Sequence, residues 1–76
     1  MTRDDVGQWL KREPFVPFQI HATGGRSFEI HHPEYAALGR TTMVVYFPDS
    51  DRWAELSLFQ IDSLEKLETA AADAAS

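Results

Sequence analysis

The chain has no cysteine. Neither a disulfide nor a thiolate metal site can staple it, so packing alone must hold its 76 residues together. It also lacks any apolar run near the ~20 residues that a membrane-spanning helix needs, and its opening, MTRDDVGQWLKRE, is too polar for a signal peptide. The expectation is a soluble, cytoplasmic protein with no membrane partner. Positive charge is scarce: seven Lys and Arg stand against twelve Asp and Glu, a net charge of -5. The acidic excess lies in the second half, where only Arg52 and Lys66 face Asp49, Asp51, Glu55, Asp62, Glu65, Glu68 and Asp73. Binding to a polyanion draws most of its affinity from Lys and Arg contacts to phosphate. An acidic chain therefore argues against nucleic acid as a general ligand and leaves room only for a small basic patch. No Ser, Thr or Lys sits in a nucleophile motif, and Gly24-Gly25 lacks the spacing of a phosphate loop. Neither enzymatic activity nor a cofactor is expected.

What the chain does have is aromatic bulk, nine rings spread from Trp9 to Phe59, and one stretch of regular alternation. That stretch is Phe18 to His32, FQIHATGGRSFEIHH. Side chains alternate with period two along a strand, so Phe18, Ile20 and Ala22 share one face of a first strand and Phe28 and Ile30 one face of a second. A two-residue turn at Gly24-Gly25 would pair Ile20 with Glu29, mixing polar and apolar residues on both faces. A three-residue loop, Thr23-Gly24-Gly25, pairs Ile20 with Phe28 and Phe18 with Ile30. The spacing predicts that loop, a type I turn followed by a left-handed Gly25.

The rest of the chain is arranged around this hairpin. Thr2 and Asp5 have the spacing of a capping box, and Val6, Trp9 and Leu10 fall on one helical stripe, which predicts a short helix over residues 3 to 12, ended by Pro14. His32 to Gly39 reads as a brief helical turn with proline at its start and glycine past its end. Thr41 to Phe47 (TTMVVYF) has the composition of a central strand covered on both faces. Pro48-Asp49-Ser50-Asp51 is a turn. Trp53 to Leu58 alternates again, with Ala54, Leu56 and Leu58 inward and Trp53, Glu55 and Ser57 outward. The phase then breaks, so a tight turn near Leu58 to Gln60 should lead into a last strand, Ile61 to Leu64. The fold class is mainly β, α+β by count: a short N-terminal helix and a five-stranded antiparallel, strongly bent sheet or small SH3-like or Sm-like barrel. Residues 1–65 form one domain and 66–76 a frayed or partly helical tail.

Two resemblances follow from these residues. The run PFVPFQIHATGGRSFEIHHPEYAALGRTTMVV with LSLFQIDSLE resembles a family of short uncharacterised bacterial proteins that share a Pro-Phe strand start, a Gly-Arg hairpin and a His-Pro-Glu turn. It covers about residues 14 to 65 and implies no activity. The leading helix, the strand ending in a glycine turn and the closing segment Leu56 to Leu64 resemble the Sm-like proteins, which implies a small barrel that binds RNA. The Sm-like RNA sites use an acidic-then-asparagine segment and an Arg-Gly or Tyr-Lys-His segment. Here those places read His32-Pro33-Glu34-Tyr35 and Leu58-Phe59-Gln60, so no RNA-contacting residue carries over.

Candidate chemistry is correspondingly thin. His21 and His31 share a face but lie four residues apart, about 13 Å at ~3.3 Å per residue, too far for one zinc ion whose ligand nitrogens sit near 2.0 to 2.1 Å. His32 is expected as a local hydrogen-bond donor or helix cap, and Asp49 and Asp51 as turn formers. No metal site is expected. The candidate interface is Trp53, Tyr46 and Trp9: Trp53 points outward beside Tyr46 or Val44 of the preceding strand, and the strip is either open or covered by the helix through Trp9 and Leu10. The reading is a small protein-interaction module with a protein partner, a second copy included. Its alternative is an Sm-like RNA-binding unit using a patch from Arg26, Arg40, Lys11 or Arg12.

Overall fold

The computed structural model describes residues 1–67. It is mainly β, with one helix, α1 (Arg3–Leu10), and six strands: β1 (Phe18–Ala22), β2 (Ser27–Ile30), β3 (Ala36–Leu38), β4 (Thr42–Phe47), β5 (Arg52–Ser57) and β6 (Ile61–Lys66). The strands form two antiparallel sheets of three, ordered β2-β1-β6 and β3-β4-β5. This corrects the expectation of five strands in one sheet; among the described residues the ladders do not close into a single barrel.

The hairpin has the predicted register, with Phe18 opposite Ile30, Ile20 opposite Phe28 and His21 opposite Ser27. Ala22 N-H donates to the Arg26 carbonyl at 2.8 Å, closing a three-residue loop. Both loop glycines are left-handed, Gly24 at φ 78° and Gly25 at φ 76°. The expected type I turn would have kept Gly24 right-handed. The helix begins at a complete capping box, Thr2 with Asp5, and stops at Leu10, two residues earlier than predicted.

The extra strand is β3. Pro33–Tyr35 makes the expected short turn, a single 3-10 turn, but Ala36, Ala37 and Leu38 then extend and pair with Val45, Val44 and Met43. Ala-Ala-Leu favours a helix in isolation; pairing with the neighbouring strand overrides that preference. A further 3-10 turn, Leu58–Gln60, supplies the phase break expected there, held by a reciprocal cap between Ser57 and Gln60. The last strand then runs through Lys66, so Glu65 and Lys66 pair with β1 and do not start a helical tail. The remainder of the expected tail lies outside the described residues.

The two sheets pack face to face. Phe18, Ile20, Ala22, Ile30 and Ile61 come from one sheet, Met43, Val45 and Leu56 from the other, and Leu58 of the Leu58–Gln60 turn and Val6 of α1 join the same cluster. Full burial of the Val, Leu, Ile, Met and Phe side chains among them stabilises the fold by roughly 1.5–3 kcal/mol each. No polar or charged residue is buried among the described residues. The central strand β4 departs from its predicted two-sided cover: Met43 and Val45 are buried, while Val44 and Tyr46 on its other face are only half-covered.

Candidate functional site

The half-covered side of β4 defines the first candidate surface. Tyr46 pairs with Trp53 across β4 and β5, and Val44 pairs with Glu55 on one side and Ala37 on the other. Opposite residues in an antiparallel pair share a face, so these side chains form the outer face of the second sheet. Trp53 is 70% exposed there. The Tyr46 ring lies 6.0 Å from Tyr35, and Tyr35 lies 5.1 Å from His32, edge-on. A row of rings thus runs from the Pro33 turn across β4 to the edge strand β5. His32 stacks against Tyr35 and makes no side-chain cap bond, which corrects its expected capping role.

The turn between β4 and β5 orders one end of this row. Asp51 adopts φ 54°, a left-handed conformation that Asp tolerates better than most residues, and its Oδ1 accepts a 2.9 Å hydrogen bond from the Tyr46 hydroxyl. That bond to a carboxylate raises the Tyr46 pKa above its ordinary 10.0. Tyr46 is therefore a neutral donor tied to the turn. Trp9 belongs elsewhere: its ring packs 5.2 Å from Phe18, with the Arg12 guanidinium 4.7 Å above it. Trp9 packs on β1, α1 lies beside β3, and Trp53 stays open.

The cations of the alternative patch separate. Arg12 sits over Trp9 and Arg26 lies 6.0 Å from the Phe28 ring. Lys11 and Arg40 instead line two adjoining grooves at the corner between α1 and the β3–β4 turn, where Arg3 joins them. Arg3 was not singled out by the sequence because it sits inside the capping segment.

The histidines each face their own glutamate: His21 to Glu65 at 2.9 Å, His31 to Glu29 at 3.0 Å and His32 to Glu34 at 3.9 Å, all near the surface. Among the described residues no three metal-ligating side chains converge. The Glu29–His31 pair, Tyr35, Tyr46 and Phe47 border an open groove of about 290 Å³ at the end of the aromatic row. One further exposed ring went unread: Phe59, 79% exposed at the 3-10 turn. The Ser57-x-x-Gln60 spacing is a capping signal, and a turn capped there turns residue 59 outward.

No family model, curated protein or solved structure matches the chain.

Proposed function

We propose that the chain is a small protein-interaction module whose contact surface is the outer face of β3, β4 and β5, and that the partner it fits first is a second copy of itself. One observation carries the reading: Trp53 stands 70% exposed on a sheet face, directly across from Tyr46. Large aromatics that keep this much surface in water are the side chains from which interface hot spots are made. A chain of this size buries a limited core, and association is a common further source of burial in small domains.

The finer fold reading is an SH3-like barrel in which Ser27 to Leu38 acts as one bent strand passing from the first sheet to the second. Supporting it are the succession of β2 and β3 through the Pro33 turn and the single 3-10 turn before the last strand. In that reading β5 is a free edge and Trp53 stands at its start, so an approaching chain meets the ring and unpaired backbone groups together.

Sedimentation equilibrium over a wide concentration range tests the proposal. The wild-type chain should exceed monomer mass as concentration rises, Trp53→Ser should stay monomeric, and Phe59→Ser should behave as wild type. Monomer mass throughout, or a Trp53→Ser variant that associates as the wild type does, overturns it.

A further inference from the structure

We propose that the corner between α1 and the β3–β4 turn is a binding site for a small organic phosphate, with Arg3 and Arg40 as contacts to the phosphate and Lys11 at the far end of the groove. It lies on a different surface from Trp53 and does not depend on the interaction reading. Two adjoining grooves meet at Arg3 and Leu38. One, of about 420 Å³, is lined by Arg3, Leu38, Gly39 and Arg40 and has no acidic residue in its wall. The other, of about 460 Å³, runs along α1 past Asp4, Gly7 and Gln8 to Lys11. Both are open to solvent along their length, so a ligand here would lie on the surface and be held mainly by charge.

Three features point to an anion. First, Arg3 is held in place: its Nε donates to the Gly39 carbonyl at 3.2 Å, and among the described residues its terminal nitrogens have no acceptor. A guanidinium anchored through Nε presents its outer N-H groups as a fork that matches phosphate oxygens. Second, among the described residues the ion pairs within 4.0 Å are all His–Glu. Arg3, Lys11 and Arg40 therefore concentrate positive charge in one corner of a chain whose net charge is -5. Third, two glycines shape the corner. Gly7 forms part of the groove wall, where a Cβ would meet only Leu38 Cδ1 at 3.7 Å, yet glycine is a poor helix former. Gly39 cannot take a Cβ without meeting Thr42 Oγ1 at 2.9 Å, and its N-H donates to Thr42 carbonyl at 2.7 Å, so the turn that carries Arg40 is tight. Asp4 lines only the groove along the helix. The phosphate consequently belongs between Arg3 and Arg40, and the organic part along Gly7 and Leu38 toward Lys11.

The test is an amide-resolved NMR titration of the full chain at constant ionic strength with inorganic phosphate, adenosine monophosphate, adenosine and a short single-stranded RNA. The proposal expects saturable shifts centred on Arg3, Gly7, Leu38, Gly39 and Arg40 with the monophosphate, weaker ones at the same place with inorganic phosphate, and none there with adenosine. Arg3→Gln and Arg40→Gln should each weaken the monophosphate by about ten-fold, the loss of one charge-assisted contact. Both side chains are exposed, so the variants should keep the wild-type spectrum elsewhere. Gly7→Ala, a substitution the helix accepts, should weaken the monophosphate more than inorganic phosphate. If inorganic phosphate binds as tightly as the monophosphate, the organic part of the proposal fails. Shifts that chloride reproduces at the same ionic strength overturn the site altogether. So does preferential RNA binding that moves the amides around Arg12 and Arg26.

Discussion

Thr2 and Asp5 hold the first turn of α1 by exchanging hydrogen bonds, the Asp5 N-H to Thr2 Oγ1 at 3.3 Å and the Thr2 N-H to Asp5 Oδ2 at 3.1 Å. Loss of the cap by Thr2→Ala should destabilise the protein by about 1 kcal/mol, measurable by urea denaturation. The Thr2 backbone bond, with the Thr2 hydroxyl second, holds the Asp5 carboxyl below its ordinary 3.8. A depressed folded-state value means that the stabilisation is present above the unfolded-state pKa and is lost as pH falls through the folded-state one. Melting curves taken down an acid series should therefore show a fall in stability that Asp5→Asn lessens. Tyr46 carries the opposite sign, since its pKa is raised by Asp51. Its contribution is full below the unfolded-state value and disappears as pH rises through the folded-state value. Asp51→Asn should lower the Tyr46 midpoint in a UV titration; an unchanged midpoint would show that the 2.9 Å bond does not form in solution. The capping pair was legible because its spacing is local. The Tyr46–Asp51 bond was not, because it needs the path of the turn between β4 and β5.

At the scale of elements, the hairpin was readable to its register because only one loop length keeps Phe18, Ile20, Phe28 and Ile30 on consistent faces. Gly24 and Gly25, both left-handed, make it sensitive to a Cβ. Alanine at either position should cost roughly 1–2 kcal/mol, and Asn at Gly25 should cost less than Ala, both read from thermal melts. Equal melting of Gly25→Ala and wild type would contradict the loop conformation. β3 was not readable. Ala36 to Leu38 carry no strand signal of their own, and only the partner residues Met43 to Val45 make them a strand. The same missing edge explains why β4 looked central on both faces. Its outer side chains, Val44 and Tyr46, are flanked by neighbours in the sheet but not roofed by another layer.

For the whole molecule, the alternation from Trp53 to Leu58 holds its phase, with Leu56 and Leu58 buried and Trp53 outside. Whether the helix would cover it was beyond the pattern, since Trp9 could have closed on either sheet; Trp9 packs on Phe18 of the first, and Trp53 stays exposed. The basic corner was half-legible: Lys11 and Arg40 are far apart in sequence, and Arg3 joins them only through its bond to Gly39. The central claim is that Trp53 leaves water when two copies meet. Its most direct measurement is the fluorescence of a Trp9→Phe variant, whose single tryptophan is Trp53, followed from dilute to concentrated protein alongside its sedimentation. Emission typical of an exposed indole at low concentration, shifting to the blue in step with the rise in mass, is the predicted result. Emission that stays red while the mass rises, or a mass that never rises, would contradict the account.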